Sequence, residues 1–272
     1  YVNDGTGKFT EEAKKRGVDN IPGVARFRGH KTAGGSIDVA DFDLDGDLDI
    51  YACGYNPSPD RVRSGTLGEP LPYHDAQNGG RNMILRNEGV WKFNDVTKTV
   101  GLGHNNNRFS FAAAWEDYDN DGDPDLYVAN DYGRNNLYQN TNGRFVDVAA
   151  ELGIEDMSAG MSASWGDFNR DGRFDIYISN MFSAAGNRIT FQRQFKPGAP
   201  ETMLAQYQRH ARGNSLFQAG LDGSGFNDVS IEQGVTMGRW AWGSRFVDLN
   251  NDGWEDLVVA NGFISTEDTG DL

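Results

Sequence analysis

The chain has one cysteine, Cys53, among 272 residues. That excludes an internal disulfide, and the absence of a Cys/His cluster argues against structural zinc. A small buried residue in the run Ile50, Tyr51, Ala52, Cys53, Gly54, Tyr55 is the expected role for this thiol, because free cysteine is commonly buried. No apolar run reaches the ~18 residues that a membrane-spanning helix requires. The opening residues form a turn-rich segment without a signal-peptide pattern, and the natural N-terminus is expected to lie further upstream. Cations are scarce: 25 Lys and Arg stand against 40 Asp and Glu, a formal charge of −15. Without a basic footprint to displace counterions, nucleic acid is not an expected partner. Histidine is scarce too. His30, His74, His104 and His210 are the only imidazoles, and none sits in a recognisable nucleophile or metal motif.

What the chain has in quantity is glycine, at 35 residues, and aromatics, at 12%. Many short strands joined by tight acidic turns fit this mixture better than a helical bundle does. The acidity is concentrated. A nine-residue pattern, D-x-[DN]-x-D-G-x-x-D, occurs four times, at 41–49, 117–125, 167–175 and 248–256, each between two β-like runs. Carboxylates at alternate positions of a tight loop repel one another and raise one another's pKa unless a cation lies among them. Ca2+ suits the set best, since it takes six to eight oxygen ligands in flexible geometry, whereas Mg2+ demands a near-octahedral shell and retains its waters.

Side chains at positions 1, 3, 5 and 9, with the backbone carbonyl at 7, are the expected ligands. They are Asp41, Asp43, Asp45, Asp47 and Asp49 in the first loop and Asp117, Asp119, Asp121, Asp123 and Asp125 in the second. The third has Asp167, Asn169, Asp171, Arg173 and Asp175, and the fourth has Asp248, Asn250, Asp252, Trp254 and Asp256. Asp47, Asp123, Arg173 and Trp254 contribute only carbonyls in this scheme. An EF-hand would need Glu at position 12, where this chain has Ala52, Val128, Ile178 and Val259 inside β-like runs. About four Ca2+ are expected, bringing the formal charge from −15 to −7. Asn169 and Asn250 each replace a carboxylate, so the third and fourth loops should bind more weakly.

A second repeat follows each loop: [LY]-x-x-N, a turn, an aromatic, D-V, and a Gly followed by an apolar residue. It runs from Leu85 to Leu102, from Leu137 to Ile154 and from Leu216 to Val235, and Tyr1 to Val18 is a copy without an upstream loop. In the second unit, alternation predicts strands at 109–115, 126–129, 136–139 and 144–148. Four strands per repeat at a spacing of tens of residues predict an all-β fold, a β-propeller with about four blades covered. Loop-to-loop spacings of 76, 50 and 81 leave two insertions. One, 56–81, is a proline-rich loop holding Pro57, Pro59, Pro70 and Pro72. The other, 181–213, is partly helical, with Met203, Leu204, Tyr207 and Ala211 on one face between Pro200 and Gly213. Arg188, Arg193, Lys196, Arg209 and Arg212 make it locally basic, which predicts a solvated face, with an acidic partner or acidic glycan as the alternative. The first hairpin and the final strand pair either complete one shared blade or belong to a larger ring, and the larger ring is the favoured expectation.

The stretch at 111–130, Phe-Ala-Ala-Ala-Trp-Glu-Asp-Tyr-Asp-Asn-Asp-Gly-Asp-Pro-Asp-Leu-Tyr-Val-Ala-Asn, resembles the FG-GAP/VCBS repeat of integrin α-subunit propellers. Together with the Asn-Asn-Leu-Tyr-Gln-Asn hairpin and the Gly-Ile ending that follow, it is similar to bacterial relatives of cartilage acidic protein, the ASPIC/UnbV group. The resemblance implies a secreted or cell-surface Ca2+-binding propeller, with the loop residues as ligands. It points to a non-enzymatic scaffold that recognises a protein or glycan. A Ca2+-dependent lectin is the first alternative, suggested by Trp91, Trp240, Trp242 and Trp254, although Trp240 and Trp242 alternate as core strand residues would. A hydrolase with a propeller-centre site, drawing on the segment Arg209 to Arg212, is the second.

Overall fold

The computed structural model describes residues 1–18, 26–27, 30–31, 35–55, 69–221 and 223–262. Strands β1 (Val2–Asn3) and β2 (Phe9–Thr10) form a hairpin followed by a single helical turn, α1 (Ala13–Arg16). A small pair, β3 (Arg26–Phe27) and β4 (His30–Lys31), comes next. The first four-stranded antiparallel sheet comprises β5 (Ile37–Ala40), β6 (Asp49–Ala52), β7 (Met83–Asn87) and β8 (Phe93–Asp95). The second comprises β9 (Phe109–Glu116), β10 (Asp125–Asp131), β12 (Asn136–Asn140) and β13 (Phe145–Asp147), while β11 (Gly133–Arg134) pairs with β14 (Met157–Ser158). The third comprises β15 (Gly160–Gly166), β16 (Asp175–Asn180), β17 (Ser215–Ala219) and β18 (Phe226–Asp228). β19 (Ala241–Val247) and β20 (Asp256–Asn261) form a final antiparallel pair.

The fold is thus mainly β, as expected, and the strands predicted for the second unit lie where that sheet has them. Among the described residues no sheet closes on itself. β1–β2 and β19–β20 are separate two-stranded sheets, with no ladder between them among the described residues. The insertion at 181–213 holds two helices rather than one, α2 (Ala184–Thr190) and α3 (Glu201–Ala211). Ser183 caps α2 by accepting from the Gly186 amide at 2.9 Å, a short polar signal inside a Gly- and Ala-rich run. Residues 56–68 of the first insertion, with Pro57 and Pro59, lie outside the described residues.

Burial explains the layering. Leu126 and Val128 of β10 pack with Tyr51, Ile84 and Phe145, whereas Tyr127 and Ala129 of the same strand pack with Ile154, Ile176 and Phe217. Successive side chains point to opposite faces, so this sheet is covered on both sides and β10 is buried throughout. A third cluster, around Tyr177, Leu216 and Phe246, joins the third sheet to the last pair. The first strands of successive sheets touch: β5 meets β9, β9 meets β15, and β15 meets β19. There the Ser36 amide donates to the Phe111 carbonyl at 2.7 Å, and the Ser162 and Ser244 hydroxyls lie 3.0 Å apart.

The outer strands are also tied to their neighbours, and at Gly17 and Gly101 the glycine of the second repeat makes room for the approach. The Phe145 amide donates to the Val100 carbonyl and the Phe226 amide to the Leu152 carbonyl, both at 2.8 Å. Each tail therefore clasps the outermost strand of the following sheet. Gly101 has φ +98°, and a Cβ there would lie 2.3 Å from the Phe145 carbonyl oxygen. Gly17 repeats the approach on Phe93, where a Cβ would lie 2.8 Å from the carbonyl oxygen.

Candidate metal centres

All four acidic loops adopt one backbone path. Position 4 is left-handed in each, at Leu44, Asn120, Arg170 and Asn251 with φ of 57–60°, and position 6 is the glycine at positive φ. Asn at two of the four positions was the only hint of the first feature, since Asn tolerates that region best after Gly. The position-1 carboxylate holds the turn together. Asp41 accepts from the Asp45 and Gly46 amides at 3.0 and 2.9 Å, Asp117 from Asp121 and Gly122 at 3.0 Å each. Asp167 and Asp248 do the same for the amides of Asp171 and Gly172 and of Asp252 and Gly253.

The position-9 residue is the anchor. Asp49, Asp125 and Asp175 are fully buried at the start of the second strand of each sheet, and Asp256 is half-buried. Asp125 accepts from the Asn140 amide at 2.7 Å and the Tyr118 amide at 3.3 Å, tying loop, second strand and third strand at one point. Asp49 does the same with Asn87 and Phe42, at 2.7 and 3.3 Å. Burial pushes these acids up, Asp49 to about 6, Asp125 to about 8 and Asp175 to about 7, and neighbouring loop carboxylates add to the effect. A cation in the loop would reverse that shift, because an opposite charge favours the ionised form.

Carboxylate oxygens of Asp41, Asp43 and Asp49 lie within 4.8 Å of one another, as do those of Asp117, Asp119 and Asp125. These two clusters could hold a metal ion. The fit is supported by Asp43, whose Oδ1 is buried without a hydrogen-bond partner, and by a donor set made entirely of hard oxygens. Asp45 and Asp121 stand outside these groupings and accept the amides of Asp47 and Asp123 instead, at 2.9 Å each. In the third and fourth loops Asn169 and Asn250 turn their amide groups onto Asp171 and Asp252, at 3.0 and 2.9 Å. The side chains at position 7 are engaged elsewhere in the second and fourth loops, whereas Arg173 in the third also approaches the loop carboxylate of Asp171 at 3.7 Å. Asp123 accepts from the Asn142 amide at 2.7 Å, Arg173 donates to the Leu221 carbonyl at 3.1 Å, and Trp254 lies under the Arg170 guanidinium at 4.9 Å.

Two contributions were not anticipated. The Asn of the [LY]-x-x-N repeat braces the loops: Asn140 Nδ2 donates to the Pro124 carbonyl at 3.0 Å and to the Phe42 carbonyl of the preceding loop at 2.8 Å. The third unit has Ala219 at that place and cannot do this. One residue earlier in the chain, Arg86 approaches Asp43 at 3.9 Å while Gln139 donates to Asp119 at 2.6 Å, so the first loop carries a competing positive charge that the second lacks.

At the opposite ends of the strands the two insertions meet. Asp75 accepts from Arg108 at 2.7 Å and from Arg134 at 3.2 Å, and these guanidinium groups hold its carboxyl below the usual range against the opposing effect of burial. Tyr73 and Tyr132 pack on His210, with ring centroids 5.3 and 6.2 Å away. Burial lowers His210 to about 4, which keeps it neutral. Of the five basic residues of the second insertion, Arg209 pairs with buried Asp156 at 2.6 Å and Arg212 with Asp228 at 2.8 Å. Those two fasten α3 to the sheet rather than facing water.

Trp240 and Trp242, whose alternation fitted core strand residues, are not fully buried. Trp242 is 41% exposed and Trp240 half-buried, and Trp91 is covered by Arg16 at 5.0 Å. Cys53 is buried just beyond β6, its thiol pushed up to about 12 by burial.

A family model for the FG-GAP-like repeat matches residues 117–178, from the first carboxylate of the second loop into β16. An FG-GAP-like repeat is therefore present at 117–178, spanning two of the acidic loops and the hairpin between them. No curated protein matches the chain.

Proposed function

We propose that this chain is a Ca2+-stabilised, non-enzymatic β-propeller scaffold acting outside the cell, where its surface recognises a protein or glycan. The observation that carries the metal reading is the convergence of Asp117, Asp119 and Asp125 around a common point in a loop whose backbone recurs four times. Stacked four-stranded meanders with touching first strands support the propeller. The FG-GAP-like repeat and the resemblance to the ASPIC/UnbV group support the extracellular placement, where calcium is abundant enough to fill weak sites.

Calcium bound only by the folded chain adds stability by mass action, about 2.7 kcal/mol per site at a hundredfold excess over the dissociation constant. Thermal unfolding in 2 mM-scale Ca2+ against EGTA is the direct test, with ~2–4 °C expected per kcal/mol for a domain of this size. Superimposable melting curves in the two buffers would remove the metal from the proposal.

A further inference from the structure

A cavity of about 630 Å³ lies where the two insertions meet, at the strand ends remote from the metal loops. Its volume falls within the ~300–1,000 Å³ of small-molecule sites. β10 runs from Asp125 in the second loop to Asp131 at the cavity wall. At ~3.3 Å per residue those two carboxylates are about 20 Å apart.

Among the described residues, two polar atoms of this cavity lack a hydrogen-bond partner, and its carboxylate lacks a cation. Asp131 is 5% exposed and accepts from the Tyr55 hydroxyl at 2.7 Å, but it pairs with no cation among the described residues. Thr190 is 7% exposed and its Oγ1 has no hydrogen-bond partner, and Nδ1 of His210 has none either. Buried polar atoms of this kind cost free energy unless a ligand or water satisfies them. The aromatic walls are Tyr73 and Tyr132. On the outer side Arg188 and Lys196 are exposed and pair with no carboxylate among the described residues, in a chain whose net charge is −15. Lys196 rests over the Tyr207 ring at 4.9 Å.

We infer that this cavity binds an acidic sugar, a uronic-acid unit of a glycan. The ring hydroxyls would meet Asp131, Thr190 and His210, the C–H face would stack on tyrosine, and the carboxylate would face Arg188 and Lys196. A simple ammonium ligand fits less well, because it only donates and the exposed cations repel it. A polyol both donates and accepts, as a hydroxyl and an imidazole nitrogen require. This inference rests on the scaffold reading above and supplies its ligand class.

The test is calorimetric titration of the full chain with digalacturonate, its carboxyl-reduced neutral counterpart, and free amino acids, each in Ca2+ and in EGTA. Digalacturonate should bind. Arg188→Ala with Lys196→Ala, both at exposed positions, should remove the preference for it over the neutral sugar by about tenfold, roughly one charge-assisted hydrogen bond. Asp131→Asn and Thr190→Val should weaken both sugars. Circular dichroism would confirm that each variant is folded, and the rim pair keeps the test decisive if Asp131→Asn does not fold.

Absence of digalacturonate binding, binding unchanged in the rim pair, or binding of amino acids alone would overturn the inference. So would binding that disappears in Asp119→Ala yet survives in the cavity variants, since that would place the sugar on loop-bound calcium. If EGTA leaves unfolding unaltered while the EGTA titration still shows digalacturonate in the cavity, the metal reading fails and the sugar site stands.

Discussion

Asp125 gives the sharpest test of how the loops work, because it belongs to a carboxylate cluster that could hold a metal ion and is also a structural tie. Replacing it with Ala strands the Asn140 and Tyr118 amides, which it accepts at 2.7 and 3.3 Å in a fully buried setting. Each buried amide left without a partner costs about 1–3 kcal/mol, and the longer bond belongs at the low end, so the sum is roughly 2–4 kcal/mol. That is a large share of a typical stability of ~5–15 kcal/mol. Asn in the same place keeps an oxygen for the Asn140 amide. In metal-free buffer near neutral pH burial already favours the protonated acid, so Asp125→Asn changes little charge there. Urea unfolding in EGTA, followed by tryptophan fluorescence, should show the Ala variant strongly destabilised and the Asn variant within about 1 kcal/mol of the parent. In Ca2+ the Asn variant should lose the metal-derived stability as well. An Ala variant within ~0.5 kcal/mol of the parent in EGTA, or an Asn variant as weak as Ala there, would refute the reasoning.

The pH response in EGTA should be unusual for an acidic protein. Asp49, Asp125 and Asp175 are raised from 3.8 to about 6, 8 and 7, so the folded chain retains protons that the unfolded chain releases above pH 4. Their contribution is full below pH 4 and is lost as pH rises to about 8, and saturating Ca2+ should flatten this decline in a denaturation series. Gly101→Ala should lower the unfolding free energy in urea by more than the ~1 kcal/mol typical of point variants, because its Cβ would meet the Phe145 carbonyl at 2.3 Å and its φ is +98°. Equal stability would show that the tail moves freely. Asn140→Ala should weaken calcium binding at the first loop as well as the second, since its side chain holds carbonyls in both, and calorimetry on Asp119→Ala backgrounds would separate the two. Removing the charge with Arg86→Gln should tighten the first site, and unchanged affinity would show that the guanidinium at 3.9 Å does not compete.

The loops were legible in the sequence because their constraint is local. Charge at alternate positions, a turn glycine and flanking strands all fall within nine residues, and burial of Asp49, Asp125 and Asp175 gives position 9 the inward place its spacing implied. The second repeat was visible, but its purpose was not. Asn140 and Gly101 act on partners 98 and 44 residues away, Phe42 and Phe145, and no pattern along the chain says which neighbour a repeated residue serves. The insertions were hardest to read for the same reason. Arg209 and Arg212 look like solvated helix charges until the fold supplies Asp156, just before β14, and Asp228 of β18. Thr190 and Asp131 have no sequence signature at all, because their significance comes from two insertions meeting above one strand end.

The clasp between tail and outer strand has a consequence for how the molecule is made. Val100 binds Phe145 and Leu152 binds Phe226, so each closing contact joins a unit to the one just synthesised before it. The partner of each outer strand therefore precedes it in the chain and is already made when that strand is synthesised. The same contacts occupy edge groups of β13 and β18, outer strands only three residues long that would otherwise offer more free edge to other chains. Protection of the β13 edge thus depends on the room that Gly101 leaves for the Phe145 carbonyl.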